Sequence, residues 1–517
     1  MLQKVHSRAW PVLRLASINE KESRRIPVSG PAILLLDRLP DAVEWDSFLA
    51  WLTQRRSDFV PAGLVEEPGE SVTWSFRFFD QPLPFEGPLA RSPKEAAQYL
   101  AEGYLVVLVP QIKLQPIKLP AWIPTRSRWK KKWLRFLQTS DCAVYPIHVL
   151  QPREPQDWKP SDDHAEALSL SGARVAQPTL RIGNSIPAQQ VAGFQDLQRL
   201  DRYLSARLFS LCCVPVQPDQ EPAKDWLRVI HTPFDPAVLA QEIAALRPEH
   251  LLLVQGKYDV FDAAAERIPH ILHEIGRLRE LTFQAAGEGS SKMIDLDTFD
   301  AHYRHLFAWD REENRLVGAY RLGPGDQLLH SHGKKGFYLH TLFHLKDEFL
   351  SYLDQSLELG RSFVVPAYQQ QRLPLFLLWK GVMLFLGRNP QYRYLIGPVS
   401  ISNAYSQISR SMMVRYIQTH HFDRHLAAMV RPRKAFNPHF GGLDADALLT
   451  ECNQDPRTLD ALIADMEPAH FRLPVLLRKY FAQNARIIGF NVDPNFSNAL
   501  DGFMVCKATD LSVPAGD

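Results

Sequence analysis

Along residues 30–210, short apolar runs alternate with helically spaced segments. AILLL (Ala32–Leu36), YLVVLVP (Tyr104–Pro110) and CAVYPIHVL (Cys142–Leu150) are bounded by turn residues, as buried strands are. SPKEAAQYLAEG (Ser92–Gly103) opens on a serine cap and a first-turn proline and closes on glycine, which predicts a helix feeding a strand. Such alternation predicts an α/β domain over residues 1–215. The polar, proline-rich VPVQPDQEPAKDW (Val214–Trp226) predicts a linker, placed at 216–234.

A second domain is expected over 235–517. It begins with the aspartate-capped helix DPAVLAQEIAALRP (Asp235–Pro248) and a longer helix, RIPHILHEIGRLRELTFQAA (Arg267–Ala286). YRHLFAWD and RLVGAYRLG then predict a strand pair around the turn Arg311–Asn314. LELGRSFVVPAYQQQRLPLFLLWKGVMLFLG (Leu357–Gly387) reads as buried strand, short loop and apolar helix. IGPVSIS (Ile396–Ser402) is a further strand, and Arg486–Thr509 gives two strands around a turn. The fold class expected is α/β (α+β), in two domains with a mixed sheet in the second.

Composition adds limits. The 59 Lys and Arg against 57 Asp and Glu give +2, which argues against a global nucleic-acid binder. The cysteines Cys142, Cys212, Cys213, Cys452 and Cys506 show neither metal-ligand spacing nor a disulfide framework, so no metal is expected. MLQKVHSRAWPVLRLAS lacks a signal-peptide core, and the most apolar stretch, Leu373–Gly387, is too short to span a bilayer. A cytoplasmic location is expected, with peripheral contact with the inner membrane left open.

The second half carries a distinctive charged set: Arg279 and Phe283 in LRELTF, Asp295, Asp297 and Asp300 in DLDTFD, Arg321 in AYRL, and Glu358 and Arg361 in ELGR. With its order of elements, this set resembles the acyl-CoA N-acyltransferase (GNAT) fold. The R-x3-F, D-x-F-D and E-x-x-R signatures resemble the acyl-homoserine lactone synthases. The text around them resembles the ornithine lipid N-acyltransferase, or hemolysin-like, family over residues 230–510, in EIGRLRELTF, LELGRSFVVPAY and PVLLRKYFAQNARIIGFNVD among others. The resemblance implies transfer of a (3-hydroxy)fatty acyl group from a thioester to the α-amine of an amino acid, most plausibly L-ornithine.

That chemistry needs a proton acceptor for the amine and donors for the oxyanion. Glu358 ranks first as base, then Asp297 and Asp300. Arg321 and Arg361 could pair with these carboxylates or grip a substrate carboxylate by a two-pronged fork. Arg279 and Phe283, by resemblance, would line the entry of the acyl phosphopantetheine. The structural alternatives are a solvated loop for the aspartates, a Glu358–Arg361 ion pair holding a strand, and a core position for Phe283.

The loop Gln369–Pro374, QQQRLP, has no glycine, although a cradle that brings backbone close to a phosphate normally needs one. The simplest donor is therefore acyl carrier protein, held by protein–protein contact with its pantetheine arm inserted. Arg372 could still meet a phosphate, so acyl-CoA stays an alternative donor, and no bound cofactor is expected.

Arg181–Leu211 and the strand order before it resemble the lysophosphatidate acyltransferase type of glycerolipid O-acyltransferase, a domain fused ahead of the N-acyltransferase in bifunctional ornithine lipid synthases. The resemblance implies a His-x4-Asp motif after the first strand, but the chain reads Asp37-Arg38-Leu39-Pro40, and Gln111-Ile112-Lys113 replaces the expected glycine–glutamate loop. Arginine is no base at neutral pH. This domain is expected to be inactive for O-acylation. The spare matches His305–Asp310 and His439–Asp444 are not expected to form dyads, the first because strand positions five apart face opposite ways. SRWKKKWLRFL, if helical, puts Trp129, Trp133 and Phe136 on one face; it suits a domain helix, an anionic membrane surface or an acidic carrier protein. The alternatives to the monofunctional enzyme are an intact bifunctional synthase and a non-catalytic, membrane-associated lipid or carrier-protein binder.

Overall fold

The computed structural model describes residues 24–36, 59–62, 92–108, 129–150, 179–211, 233–286, 288–289, 292–452, 455–467 and 472–511, with Phe48, Leu52 and Ala90 besides. Asp37–Pro40, Gln111–Lys113 and all but the last two residues of the expected linker lie outside them. The chain forms two compact units, Met1–Val216 with Phe440–Arg472, and Gln217–His439 with Leu473–Asp517.

The first unit is built on β1 (Ala32–Leu36), β2 (Phe59–Ala62), β3 (Leu105–Leu108), β4 (Val144–Leu150) and β5 (Thr179–Ile182), in the order β2-β3-β1-β4-β5. The first four are parallel and β5 is antiparallel. AILLL and LVVL are buried at every position, the pattern of strands covered on both faces. Three helices of this unit bear on the sequence reading: α1 (Pro93–Ala101), α2 (Lys131–Thr139) and α3 (Leu197–Ser210). Ser92 caps α1 as expected. In α2 the expected face exists but points inward: Trp129, Trp133 and Phe136 are all buried, while Lys131, Lys132 and Arg135 are exposed. Its aromatic residues belong to the core, so they offer no membrane anchor.

The excursion Phe440–Arg472 was not anticipated within the first unit. Its hold there is Asp465, whose carboxylate is fully buried and accepts from Arg207 (2.8 Å), Arg25 (2.9 Å) and the backbone and side-chain nitrogens of Asn184 (2.8 Å each). Such a group is costly to bury unless several donors satisfy it.

The second unit carries an eight-stranded sheet, β14-β15-β12-β11-β9-β8-β7-β6. Its strands are β6 (Leu251–Gln255), β7 (Tyr258–Ala264), β8 (Arg304–Asp310), β9 (Arg315–Pro324), β11 (Ser356–Val364), β12 (Tyr394–Ile401), β14 (Arg486–Asp493) and β15 (Ala499–Lys507). A separate ribbon pairs β10 (Phe343–Leu345) with β13 (Val430–Pro432). The helices that follow are α4 (Pro236–His250), α5 (Pro269–Ala285), α6 (Gly325–His332), α7 (Arg372–Arg388) and α8 (Gln407–His420). All neighbours in the large sheet are antiparallel except β11 and β12. These two pair only over Ser356–Glu358, although both strands continue. Beyond the pairing, β11 has a bulge between Gly360 and Phe363, with Arg361 at φ +49°. Between the two strands Gly397 lies so close to Leu359 that a Cβ there would sit 2.2 Å from its carbonyl oxygen.

Candidate active site

The charged set converges beside that parting of strands. After α5 the chain returns through Asp295 to a short 3-10 turn, Thr298–Ala301, closed by a reciprocal cap between Asp297 and Asp300. Arg279 reaches this loop from α5 and is 1% exposed. Its Nε donates to Asp295 (2.7 Å) and its Nη1 and Nη2 to the two oxygens of Asp300 (3.0 and 2.9 Å). Arg321, from β9, donates to Asp297 (2.6 Å) and lies 3.3 Å from Asp300. Arg361, on the bulge, lies 3.3 Å from Asp295 and 3.5 Å from Asp297. Its guanidinium stands over the rings of Tyr338 and Phe496, 4.9 Å from each. Burial favours the neutral form of Asp300, but Arg279 and Arg321 outweigh it and hold the carboxyl well below its ordinary value.

Glu358 is not the ion partner of Arg361. It is 1% exposed, and its carboxylate accepts from the Tyr303 hydroxyl and from the backbone N–H groups of Leu339 (2.8 Å) and Tyr338 (3.2 Å). Burial pushes its pKa up to about 7 against those donors. Tyr303 in turn accepts from the Tyr338 N–H (3.0 Å), and the Tyr338 hydroxyl donates to Asp493 (3.0 Å).

That last contact leads to carboxyls absent from the sequence-based site. Asp501, on β15, lies opposite Ser400 on β12 and Asn491 on β14, and Asp493 lies two positions beyond Asn491. Strand positions two apart share a face, so Asp493 and Asp501 are diagonal neighbours. Ser400 donates to one Asp501 oxygen at 2.7 Å; among the described residues the other has no hydrogen-bond donor. Burial first, then Asp493 and Glu288, push the Asp501 carboxyl up to about 7 against Ser400 and Arg361. Burial also takes Glu288, just past α5, to about 7. A signal for this pair did exist: NVDPNFSNALDGFMV sets aspartates into otherwise apolar strands, where a charge needs a reason.

Of the expected site residues, Asp297, Asp300, Arg321, Arg361 and Arg279 meet in one network, with Asp295. Arg279 is sealed within it rather than facing an open entry. Phe283 packs edge-on against Phe363 and Phe496, at centroid distances of 6.5 and 5.2 Å, at the edge of the core. His305 and Asp310 form no dyad: His305 Nε2 bonds to the Asp300 carbonyl (2.9 Å), while Asp310 is held by Lys257 and Tyr368. The loop before α7 takes ordinary backbone angles, with no left-handed residue between Ser362 and Asn389. Gln371 accepts from the Tyr258 hydroxyl (3.1 Å), and no side chain caps α7.

Residues 278–379 match the acetyltransferase (GNAT) domain family, so the second unit contains a GNAT domain. The chain is also similar to two proteins named glycine N(alpha)-acyltransferase. One is from Phocaeicola vulgatus, 34% identical over 167 residues, which is 30% of this chain and 51% of the relative. The other is from Bacteroides thetaiotaomicron, 34% identical over 170 residues, 31% of this chain and 50% of the relative. The chain thus spans about half the length of these relatives. No solved structure matches significantly.

Proposed function

We propose that the second unit is an N-acyltransferase that moves a fatty acyl group from an acyl-carrier-protein thioester to the α-amine of an amino acid. The observation that carries this reading is the parting of β11 from β12 past Glu358, where a buried charged set meets strand edges left without a partner between them. An extended pantetheine arm can add to such an edge by backbone hydrogen bonds. The amine nitrogen attacks the thioester carbonyl carbon, the carbon–sulfur bond breaks, and the proton lost by nitrogen ends on the leaving thiolate.

The roles follow from charge. Asp295, Asp297 and Asp300 are committed to three guanidiniums and position Arg361, whose remaining edge can grip the acceptor's carboxylate. Both Glu358 oxygens are engaged, so the expected first-ranked base acts by fixing Tyr303 and the Tyr338–Leu339 backbone. Asp501, with one oxygen unclaimed and a carboxyl poised near neutrality, is the better proton acceptor. A single ammonium needs only one carboxylate, whereas Asp493, Asp501 and Glu288 form a trio. The surplus favours a diamino acid, ornithine, as acceptor; the names of the relatives make glycine the second reading. An aminolipid is the product in either case. The first unit is proposed to be inactive for O-acylation.

The test is incubation of the full chain with 3-hydroxyacyl-carrier protein or acyl-CoA and a panel of amino acids, read by mass spectrometry. An acyl amide with ornithine above glycine is expected. No acyl amide with any acceptor from either donor would sink the reading.

A further inference from the structure

The segment that brings Tyr338 into the site is basic on both sides of it, with Lys334 and Lys335 before and His340 and His344 after. His344 lies opposite Arg431 in the β10–β13 ribbon. Past β13, Lys434 runs against the end of β14: its N–H donates to Asn491 (2.8 Å) and its carbonyl accepts from Val492 (2.8 Å). Asp493, the next residue, takes the Tyr338 hydroxyl. The ribbon is therefore tied to the site from both of its strands.

Lys335, His344, Arg431, Arg433 and Lys434 are exposed, and among the described residues none of the four cations has a carboxylate partner. Lys334 pairs with Asp347. Arg433 rests instead on the His340 carbonyl (2.9 Å) and within 3.5 Å of the His340 and His344 rings. The excess charge is felt locally. Arg433 chiefly, then burial and Arg431, lower the pKa of His344; burial first, then Arg433 and Lys334, lower that of His340. Uncompensated like charge opposes itself unless an anionic partner relieves it.

We propose that this ribbon is the docking face for an acidic acyl carrier protein, which it sets beside Tyr338 and Arg361. Arg431 lies in the ribbon, Arg433 and Lys434 follow β13, and Lys335 stands in the turn before β10; spread in this way instead of converging on a point, the cations suit the face of an acidic protein better than one phosphate group. The proposal rests on the transfer reading above for its purpose, but its test does not need turnover.

Binding of holo carrier protein to the full chain is measured by calorimetry at low and high salt, for wild type and K335E/R431E. These side chains lie outside the catalytic network, so melting temperature and transfer from acyl-pantetheine should be unchanged. The variant is expected to bind at least about tenfold more weakly, with a flatter salt dependence. Absent wild-type binding, unchanged variant binding, or an equal loss on reversing α2 instead (K131E/K132E/R135E) would each overturn the docking face. Binding that follows the ribbon without acyl transfer from any thioester would overturn the transfer reading alone.

Discussion

Replacing Asp501 by asparagine is expected to stabilise the second unit at mildly alkaline pH and to stop acyl transfer. Asp501 is 3% exposed, and burial with its acidic neighbours moves its pKa from 3.8 to about 7. Between those values the folded chain holds a proton that the unfolded chain has released. Stability from this group is therefore full at low pH and declines as pH rises towards 7. Over that interval the loss has an upper limit of ~4 kcal/mol. Part of the shift comes from the charges of Asp493 and Glu288, and Glu288 is only partly buried, so a net gain of about 1–2 kcal/mol is expected for Asp501→Asn at pH 8. The asparagine oxygen can still accept from Ser400, so the substitution removes charge without removing the hydrogen bond. Thermal unfolding of the full chain at about pH 5 and pH 8 reads this as a rise of roughly 2–8 °C at the higher pH and a clearly smaller one at the lower, where only part of the loss has built up. A melting point at pH 8 that is unchanged or lower would refute the assignment of a strained, functional carboxyl. So would wild-type transfer by the variant.

Arg279→Met should cost about 3–5 kcal/mol, because it takes the close cation from two buried carboxylates and leaves Asp295 and Asp300 only their longer contacts to Arg361 and Arg321; denaturant unfolding of the full chain reads it. Asp465→Ala should cost a similar ~3–5 kcal/mol in the first unit, leaving the buried Arg207 without its carboxylate and the Asn184 N–H without its acceptor, while acyl transfer by the second unit persists. Gly325→Ala should lower the yield of folded protein, since the added Cβ would lie 1.9 Å from the Leu353 carbonyl; limited proteolysis checks it. Glu358→Gln should lower transfer without shifting its pH optimum, because it puts an amide donor among the donors of Tyr303, Tyr338 and Leu339. Asp501→Glu, in contrast, should shift the optimum.

The order of elements was legible because each carries its own punctuation. Ser92, Asp235 and the turn at Asn314 mark ends that the structure reproduces within a few residues. The charged set was legible only through its joint resemblance to a family's signatures, since taken singly its aspartates read as a solvated loop. Partner choice was not. Glu358 and Arg361 read as a pair from their spacing, yet the bulge turns Arg361 towards Asp295 and Asp297 and leaves Glu358 to Tyr303. Asp501 and Asp493 belong to separate strands, and only the β14–β15 register makes them neighbours. Asp465 is more remote still: nothing local in an ordinary helix, Pro456–Met466, says that its carboxylate belongs with Arg207.

The electrostatics divide the site into two parts with different duties. Asp295, Asp297 and Asp300 against Arg279, Arg321 and Arg361 sum to zero, so the set can be buried without a net charge and can serve as rigid scaffolding. Asp493, Asp501 and Glu288 touch that scaffold only through Arg361 and Tyr338 and have no cation of their own among the described residues. Holding such a trio together is unfavourable, and two of its members answer by keeping their protons near neutrality. An arriving ammonium reverses that balance: it favours the ionised carboxyls, and their ionisation favours the ammonium. The same carboxyl must then take the amine's proton, which it can do only because its pKa began near 7. Stability given up at Asp501 and catalysis gained there are two readings of one shift, and for that reason the asparagine variant is expected to move them in opposite directions.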